Sequence, residues 1–407
     1  MIAFGPIYKS LKKNSLGALL IALQIAVTLA ILANSLHIIT ERVETLSAPS
    51  GLLEDNLFIF DISTSTPDDA QSAERQADLA RLRSLPGVNS AYASNSVPLS
   101  HGGWSMGVQI SKEENAPNSP AAIYFGDEQA LETLGATLIG GRNFTPADLT
   151  DRGRNAVTWS DSVLITEQLA KRLFSGQSAV GKTFYIGDIA SPNTRPSTII
   201  GVIKDIRTPW SGWNQSWLSS VVIVPQNLLG SGRFVVRSEP GQIGALMKTV
   251  QDAMLEVNRD RVISEPKAFT EIRADFYRSD AAMVTMLVAV IALLAVITAF
   301  GIFGMVSFWV TQRRKQIGTR RALGATQGDI LRHFLAENFL IVSIGILLGW
   351  ALAIGLNLWL SRSFEMERLG FGWIMLGSVA VYLVGQLATL KPARDAAAVP
   401  PVVATRA

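Results

Sequence analysis

Cysteine is absent from the 407 residues, and histidine occurs three times. A domain exported by such a chain has no disulfides and is held by its core alone. With no thiolates and only scattered imidazoles, a transition-metal site is not expected. The same scarcity bears on a catalytic motif. In "HGGWSMG", Gly103, Ser105 and Gly107 match the nucleophile-elbow pattern of glycine, any residue, serine, any residue, glycine. An elbow leads into a helix, whereas the following "VQIS" reads as a strand. That fold also places its histidine after the serine. His37 and His101 precede Ser105, and His333 is expected on the other side of a membrane, so no triad assembles. The chain is read as a non-enzyme, with no catalytic residue, cofactor or metal assigned.

Charge is the next scarcity. Asp, Glu, Lys and Arg are missing from residues 14–40, 281–312, 338–361 and 369–390. Each window exceeds the roughly 20 residues that cross a bilayer core of about 30 Å. One charge at a helix centre costs roughly 2.5–3.5 kcal/mol on insertion, so four uncharged windows predict four transmembrane helices. Lys9, Lys12 and Lys13 precede the first window in the manner of a signal peptide. The apolar run is longer than a signal core of about 7–15 residues, and "ANSLHIITERVETL" continues it as helix, so an anchor is expected.

Basic residues in short loops set orientation. Arg313, Arg314, Lys315, Arg320, Arg321 and Arg332 lie between the second and third spans. The next loop has Arg362 and Arg368 offset by Glu365 and Glu367. Lys9, Lys12 and Lys13 mark one terminus, and Lys391, Arg394 and Arg406 the other. Both termini and the basic loop are therefore expected in the cytoplasm, with 41–280 outside. A small net charge of +3 accompanies no expectation of a nucleic-acid partner.

The organisation that follows is 1–40 as N-terminus and first span, 41–280 as outside domain, 281–390 as three further spans, and 391–407 as tail. Within the outside domain, "NLFIFDIS", "AERQADLARLRSLPGV" and "NSAYAS" read as strand, helix and strand. So do "RFVVRS", "GQIGALMKTVQDAMLEVN" and "RVI" near its end. Two such units predict an α+β sheet with helices on one face, and the Gly- and Pro-richer stretch 98–225 predicts a second subdomain. The fold class expected is an α-helical membrane protein with a large α+β domain between the first and second spans.

"GQSAVGKT", residues 176–183, fits a phosphate-binding loop in every place. Such a loop needs a strand before it and a helix after it. Here "TEQLAKRLF", with Leu169, Leu173 and Phe174 at helical spacing, comes before, and strand-like "FYIGD" comes after. A helix-to-strand turn is predicted, in a compartment without ATP. Trp210, Trp213 and Trp217 share one face if their stretch is helical. They read either as a loop pinned by aromatics or as a docking surface for a partner, lipid or substrate.

The basic loop reads "QRRKQIGTRRALGATQGDILRHFLAENF". Thr326 and Asp329 predict a capping box that starts the third span's helix. The segment before it is short, basic and apolar, and can seat Ala322 and Leu323 in a cleft while Arg320 and Arg321 meet carboxylates. The loop resembles the signature of MacB/FtsX-type ABC transporter permeases, the mechanotransmission type, at Ile317, Gly318, Arg321, Ala322, Gly324, Ala325, Ile330, Phe334, Leu335 and Glu337. "GGRNFTPAD", "VLITEQLAKRLFSGQSAVGKTFYIGD", "IIGVIKDIR" and "KPARDAAAVPPVVATR" are similar to the family's outside core and tail. Gln316 stands where the family commonly has Glu, and Thr405 where its tail often has Leu.

The resemblance implies a permease in a bacterial inner membrane, with an ATPase supplied by a separate subunit and a second permease chain, the same or homologous. It implies that 311–338 is a coupling segment, with Ile317, Gly318, Arg320, Arg321, Ala322, Leu323, Gly324 and Ala325 engaging the ATPase. It further implies that motor closure moves the outside domain through stalk-like extensions, "HIITERVETL" and "FTEIRADFYRSD", both expected to be solvated helices. Membrane lipid and a periplasmic adaptor complete the expected partners. Gly345 and Gly349 are candidates for close packing against the second permease. The function expected is export or extraction of a hydrophobic or peptide-like substrate. The alternatives are a non-transporting transmitter controlling a cell-wall hydrolase or sensor, and a lipoprotein-releasing permease.

Overall fold

The computed structural model describes residues 15–152, 159–191, 194–210, 217–228, 232–364 and 368–400. Lys9, Lys12, Lys13, Trp213, Glu365, Glu367, Thr405 and Arg406 lie outside the described residues. Two compact units form, one from the chain up to Ser47 together with the chain from Ser279 on, the other from Ala48–Arg278. The helices are α1 (Ser15–Ser47), α2 (Asp68–Arg83), α3 (Ala130–Leu134), α4 (Glu167–Phe174), α5 (Ile243–Val257), α6 (Phe269–Phe276), α7 (Arg278–Gln312), α8 (Arg314–Ala322), α9 (Gln327–Phe364) and α10 (Phe371–Ala397).

Four of these, α1, α7, α9 and α10, are long and apolar enough to cross a membrane, as the uncharged windows predict. Three of the four close tightly. A Cβ built on Gly345 of α9 would lie 2.7 Å from Ile25 Cβ of α1, and one on Gly349 would lie 2.9 Å from Leu29 Cδ2. On α10, a Cβ at Gly377 would stand 3.0 Å from Leu29 Cδ1. Small residues let helix backbones approach where lipid offers no hydrophobic contrast. The two α9 glycines thus serve contact within the chain, which corrects the expectation that they face a second permease.

Polar side chains add to this packing. Asn34 Nδ2 on α1 donates to Ala30 O at 2.9 Å and across to Ala353 O on α9 at 3.1 Å. Helix α7 is held more sparingly. It meets α1 through Gln24 Nε2 to Ile297 O at 3.1 Å, a Thr28–Thr298 hydroxyl pair at 2.9 Å, and an Arg42–Asp280 ion pair at 2.8 Å. A cavity of about 100 Å³ remains between α1, α7 and α10, lined by Thr28, Leu32, Leu294, Thr298 and Val381 among others.

Among the described residues, the strands all lie in the other unit. They are β1 (Leu57–Thr64), β2 (Val88–Ser94), β3 (Trp104–Gln109), β4 (Asn118–Phe125), β5 (Leu138–Gly141), β6 (Thr150–Arg152), β7 (Ser162–Thr166), β8 (Thr183–Ile186), β9 (Pro196–Ile203), β10 (Val221–Val224), β11 (Gln226–Leu228), β12 (Gly232–Ser238), β13 (Arg261–Ile263) and β14 (Lys267–Ala268). The two strand–helix–strand units interleave into one sheet of order β13-β1-β12-β2, with neighbours antiparallel and β14 also pairing with β1. This is the split β-α-β arrangement. Successive strand residues face opposite ways, and both faces of β1 are covered at Leu57–Phe60. Phe58, Phe60 and Ile62 join Phe234 and Val236 beneath Leu79 and Leu82 of α2 and Leu246 and Val250 of α5. Phe60 pairs with Phe234 in register, their rings stacked at 5.6 Å.

The middle stretch folds into a second, mixed sheet of order β5-β9-β7-β10-β4-β3-β8. Its core takes Leu169, Leu173 and Phe174 from α4. An ion pair joins elements around the two sheets: Arg83 Nη2 at the end of α2 sits 2.7 Å from Asp127 Oδ2 just after β4. Burial lifts the Asp127 carboxyl to about 6, against the pull of Arg83 in the other direction. A second buried pair ties α2 to β13, with Arg261 Nη1 within 2.7 and 2.8 Å of the two Asp78 oxygens.

The stalk expectation needs one correction. "HIITERVETL" is helical as the end of α1. "FTEIRADFYRSD" is broken at Tyr277, and Phe269, Phe276 and Tyr277 are buried, so it is not a continuous solvated helix. Apolar rings interleaved with charge pack onto their own unit, as in the contact of Phe276 with His101 at 4.6 Å between ring centres.

Candidate functional site

Between α7 and α9 the chain makes a short basic excursion. Helix α7 ends at Gln312, Arg313 leaves helical geometry (φ −101°, ψ 10°), and α8 runs for nine residues. Leu323 N and Ala325 N close the end of α8 on Thr319 O and Arg320 O. Gly324 then takes φ +100°, a conformation that side chains with a Cβ rarely adopt, and this reverses the chain. The reversal delivers Thr326 to the start of α9. Asp329 Oδ2 accepts from Thr326 N at 3.0 Å and Thr326 Oγ1 at 2.6 Å, while Asp329 N donates to Thr326 Oγ1 at 3.2 Å. That is the capping box read from the sequence, and both partners satisfy backbone groups left open at a helix start.

The sequence-selected residues divide by face. Ile317 and Gly318 are buried, and α8 packs on α10 there, in an apolar cluster with Ala393, Ala396 and Ala397. Arg320, Ala322, Leu323 and Gly324 are exposed, Leu323 to 84%. Arg321 and Ala325 are half-buried. The outcome is a tip of one large apolar side chain among basic ones, mounted on a small buried heel.

A contact not singled out from sequence holds the root of this excursion. Arg313 Nη1 bridges both carboxylate oxygens of Glu337 on α9, at 3.1 and 2.9 Å. Glu337 is 1% exposed. Sequence reading counted Arg313 only as one positive charge, and noted Glu337 only as part of a family pattern. A separation of 24 positions carries no periodic signal.

The other motifs resolve as local structure. "GQSAVGKT" joins α4 to β8, helix first and strand second. Gly176 and Gly181 take φ +82° and +83°, and Lys182 Nζ donates to Gln177 Oε1 at 2.8 Å above the Phe174 ring. Ser105 lies within β3, not on an elbow. Trp210 is half-buried against the core around Tyr124 and Ile206, and Trp217 is half-buried with the Arg172 guanidinium 5.9 Å from its ring centre.

Comparison with known proteins places this architecture. Residues 16–257 match the family described as "MacB-like periplasmic core domain", and residues 288–401 match "FtsX-like permease C-terminal". The chain is 26% identical over 274 residues to the Macrolide export ATP-binding/permease protein MacB of Chromobacterium violaceum, covering 66% of this chain and 40% of that one. It is 25% identical to the Uncharacterized ABC transporter permease YknZ of Bacillus subtilis, covering 83% of this chain and 80% of that one. A crystal structure of the extracellular domain of YknZ aligns over 51% of this chain and 99% of its own, at 17% identity and a TM-score of 0.33. With one family region covering α1 and most of the strand-bearing unit and the other covering most of α7 through α10, the chain belongs to the MacB/FtsX-like family of ABC transporter permeases, with membrane helices and an extracytoplasmic domain.

Proposed function

We propose that the chain is the permease subunit of an ABC transporter in which a separate ATPase docks on α8. Its outside domain moves in response and drives export or extraction of a hydrophobic or peptide-like substrate. Both termini and α8 face the cytoplasm in this reading, because the basic residues concentrate there. The carrying observation is the tip of α8: Leu323 is 84% exposed beside Arg320, on a helix braced behind by Ile317 and Gly318. An apolar side chain projected among cations suits a cleft with carboxylates at its rim. The relative from Chromobacterium violaceum is named as a joined ATP-binding and permease protein, and this chain spans 40% of its length. The chain itself carries no catalytic step. A second permease chain, homologous or identical, completes the membrane unit.

Affinity capture from detergent-solubilised membranes tests this. The wild-type chain brings down an ATPase subunit, and the variant Arg320→Ala, Arg321→Ala, Leu323→Ala inserts normally but loses it. ATP hydrolysis by the purified chain alone, with no ATPase captured, overturns the reading.

A further inference from the structure

The exposed tip explains where a motor would touch, but not how a nine-residue helix passes a push onward. A helix that short is marginal by itself, and only its attachments make it stiff. Three attachments are visible. The heel, Ile317 and Gly318, rests on α10; the Thr326–Asp329 box fixes the exit; Arg313 grips Glu337 at the entry.

The entry contact has a character that topology does not require. Positive charge at this loop is already supplied by Arg314, Lys315 and Arg320, all exposed. Arg313 instead turns inward over Trp309, its guanidinium 5.7 Å from the ring centre, onto a carboxylate with a side chain 2% exposed. Removing two charges from water costs more than packing apolar groups of the same volume, so such a pair is poorly explained as glue. What it supplies is direction, since a charged hydrogen-bonded pair holds a set geometry. Arg313 N also donates to Trp309 O and Arg313 O accepts from Ile317 N, so one residue belongs to the end of α7 and the start of α8 together. Through Glu337 it is fixed to α9 as well, and α9 lies along α1 at Gly345 and Gly349.

We infer that Arg313 and Glu337 are positioning residues, a joint that locks the root of α8 to the third span so that displacement of the Leu323 tip moves the spans instead of bending the loop. This rests on α8 being the docking element proposed above. The pair orients the element and touches no nucleotide.

The test uses the full chain with the ATPase it captures, and Glu337→Gln, Arg313→Met and the swap Arg313→Glu, Glu337→Arg. Capture of the ATPase is expected to stay near the wild-type level in all of them. Hydrolysis by the captured complex falls about tenfold in the single variants, a coupling effect of ordinary size, and recovers in the swap. A second readout needs no ATPase. The chain has no cysteine, so spin labels at Leu323→Cys and Leu383→Cys report the distance from the α8 tip to α10. The distribution is narrow with the pair intact, broad in the single variants and narrow again in the swap. If Glu337→Gln fails to insert, Glu337→Asp, which keeps the charge and shortens the reach, shows the same broadening. Unchanged hydrolysis with an unchanged distribution in the single variants overturns the inference, as does a swap that restores neither. Failure of the wild-type chain to capture any ATPase sinks the docking reading alone, and the label distances still decide whether the joint exists.

Discussion

The two units bury charge and shape by different means. In the outside domain, where water is the alternative, ladders of strands leave buried ion pairs between elements: Arg261 with Asp78, and Arg83 with Asp127. In the membrane unit, the spans close on one another where glycines remove side chains, and a buried pair, Arg313 with Glu337, sits at the root of α8. Within that unit, α1 and α7 are alike in length and hydropathy, yet half of α1's most apolar stretch is buried against 11% for α7. Their sequences do not announce this. The glycines that make α1 central sit on α9 and α10, opposite it. An apolar helix in a bilayer becomes a hub or an outlier according to what faces it.

The largest way to break this comparison lies in the outside domain. Asp78→Ala leaves the Arg261 side chain, which has no exposure, without its main counter-charge, and is expected to cost about 3–5 kcal/mol. The drop in denaturation midpoint of the full-length protein, followed by tryptophan fluorescence, measures it. A midpoint within error of wild type would show the pair to be dispensable.

Next comes pH. Asp127 holds its proton up to about 6 when folded, against an ordinary value of 3.8. Between these values the folded state keeps a proton that the unfolded chain has lost, so stability falls as pH rises through the window and levels off above it. The full effect is at most about 3 kcal/mol, from roughly 1.4 kcal/mol per pH unit. Comparing midpoints at pH 4.5 and 7 in wild type and Asp127→Asn checks it, since the variant should lose this part of the difference.

The finest test sharpens the contrast between α1 and α7. Gly345→Ala places a methyl 2.7 Å from Ile25 Cβ and should destabilise by about 1–3 kcal/mol. Gly304→Ala on α7, with nothing within 4 Å of the new methyl, should be neutral or stabilise by up to about 1 kcal/mol through helix propensity. Thermal unfolding in detergent separates them, and equal shifts would mean that α9 yields freely to α1.

Some of the fold was open to reading because its signal is local. Uncharged windows marked α1, α7, α9 and α10, and the strand-like runs "NLFIFDIS" and "RFVVRS" marked β1 and β12. The turn nature of "GQSAVGKT" followed from the order of its flanks. The helix break at Tyr277 was missed, because charges in "FTEIRADFYRSD" suggested solvent while Phe276 and Tyr277 were bound for the core. In the candidate site, the Thr326–Asp329 box was legible at a spacing of three residues, and the basic, apolar tip was legible by composition. The inward turn of Ile317 and Gly318 was not, since it depends on the arrival of α10 from 75 residues onward.

By itself, then, the sequence determined which segments leave water for lipid, which runs are strand-like, and where α9 starts. Transfer free energy, side-chain period and capping all act within a few residues. Tertiary structure alone decided that β12 inserts between β1 and β2, that glycines of α9 close on α1, and that one arginine among five in a basic loop turns onto a buried carboxylate. Each of these is a pairing across many residues. Its free energy exists only once both partners are brought together, so neither stretch of sequence carries it alone.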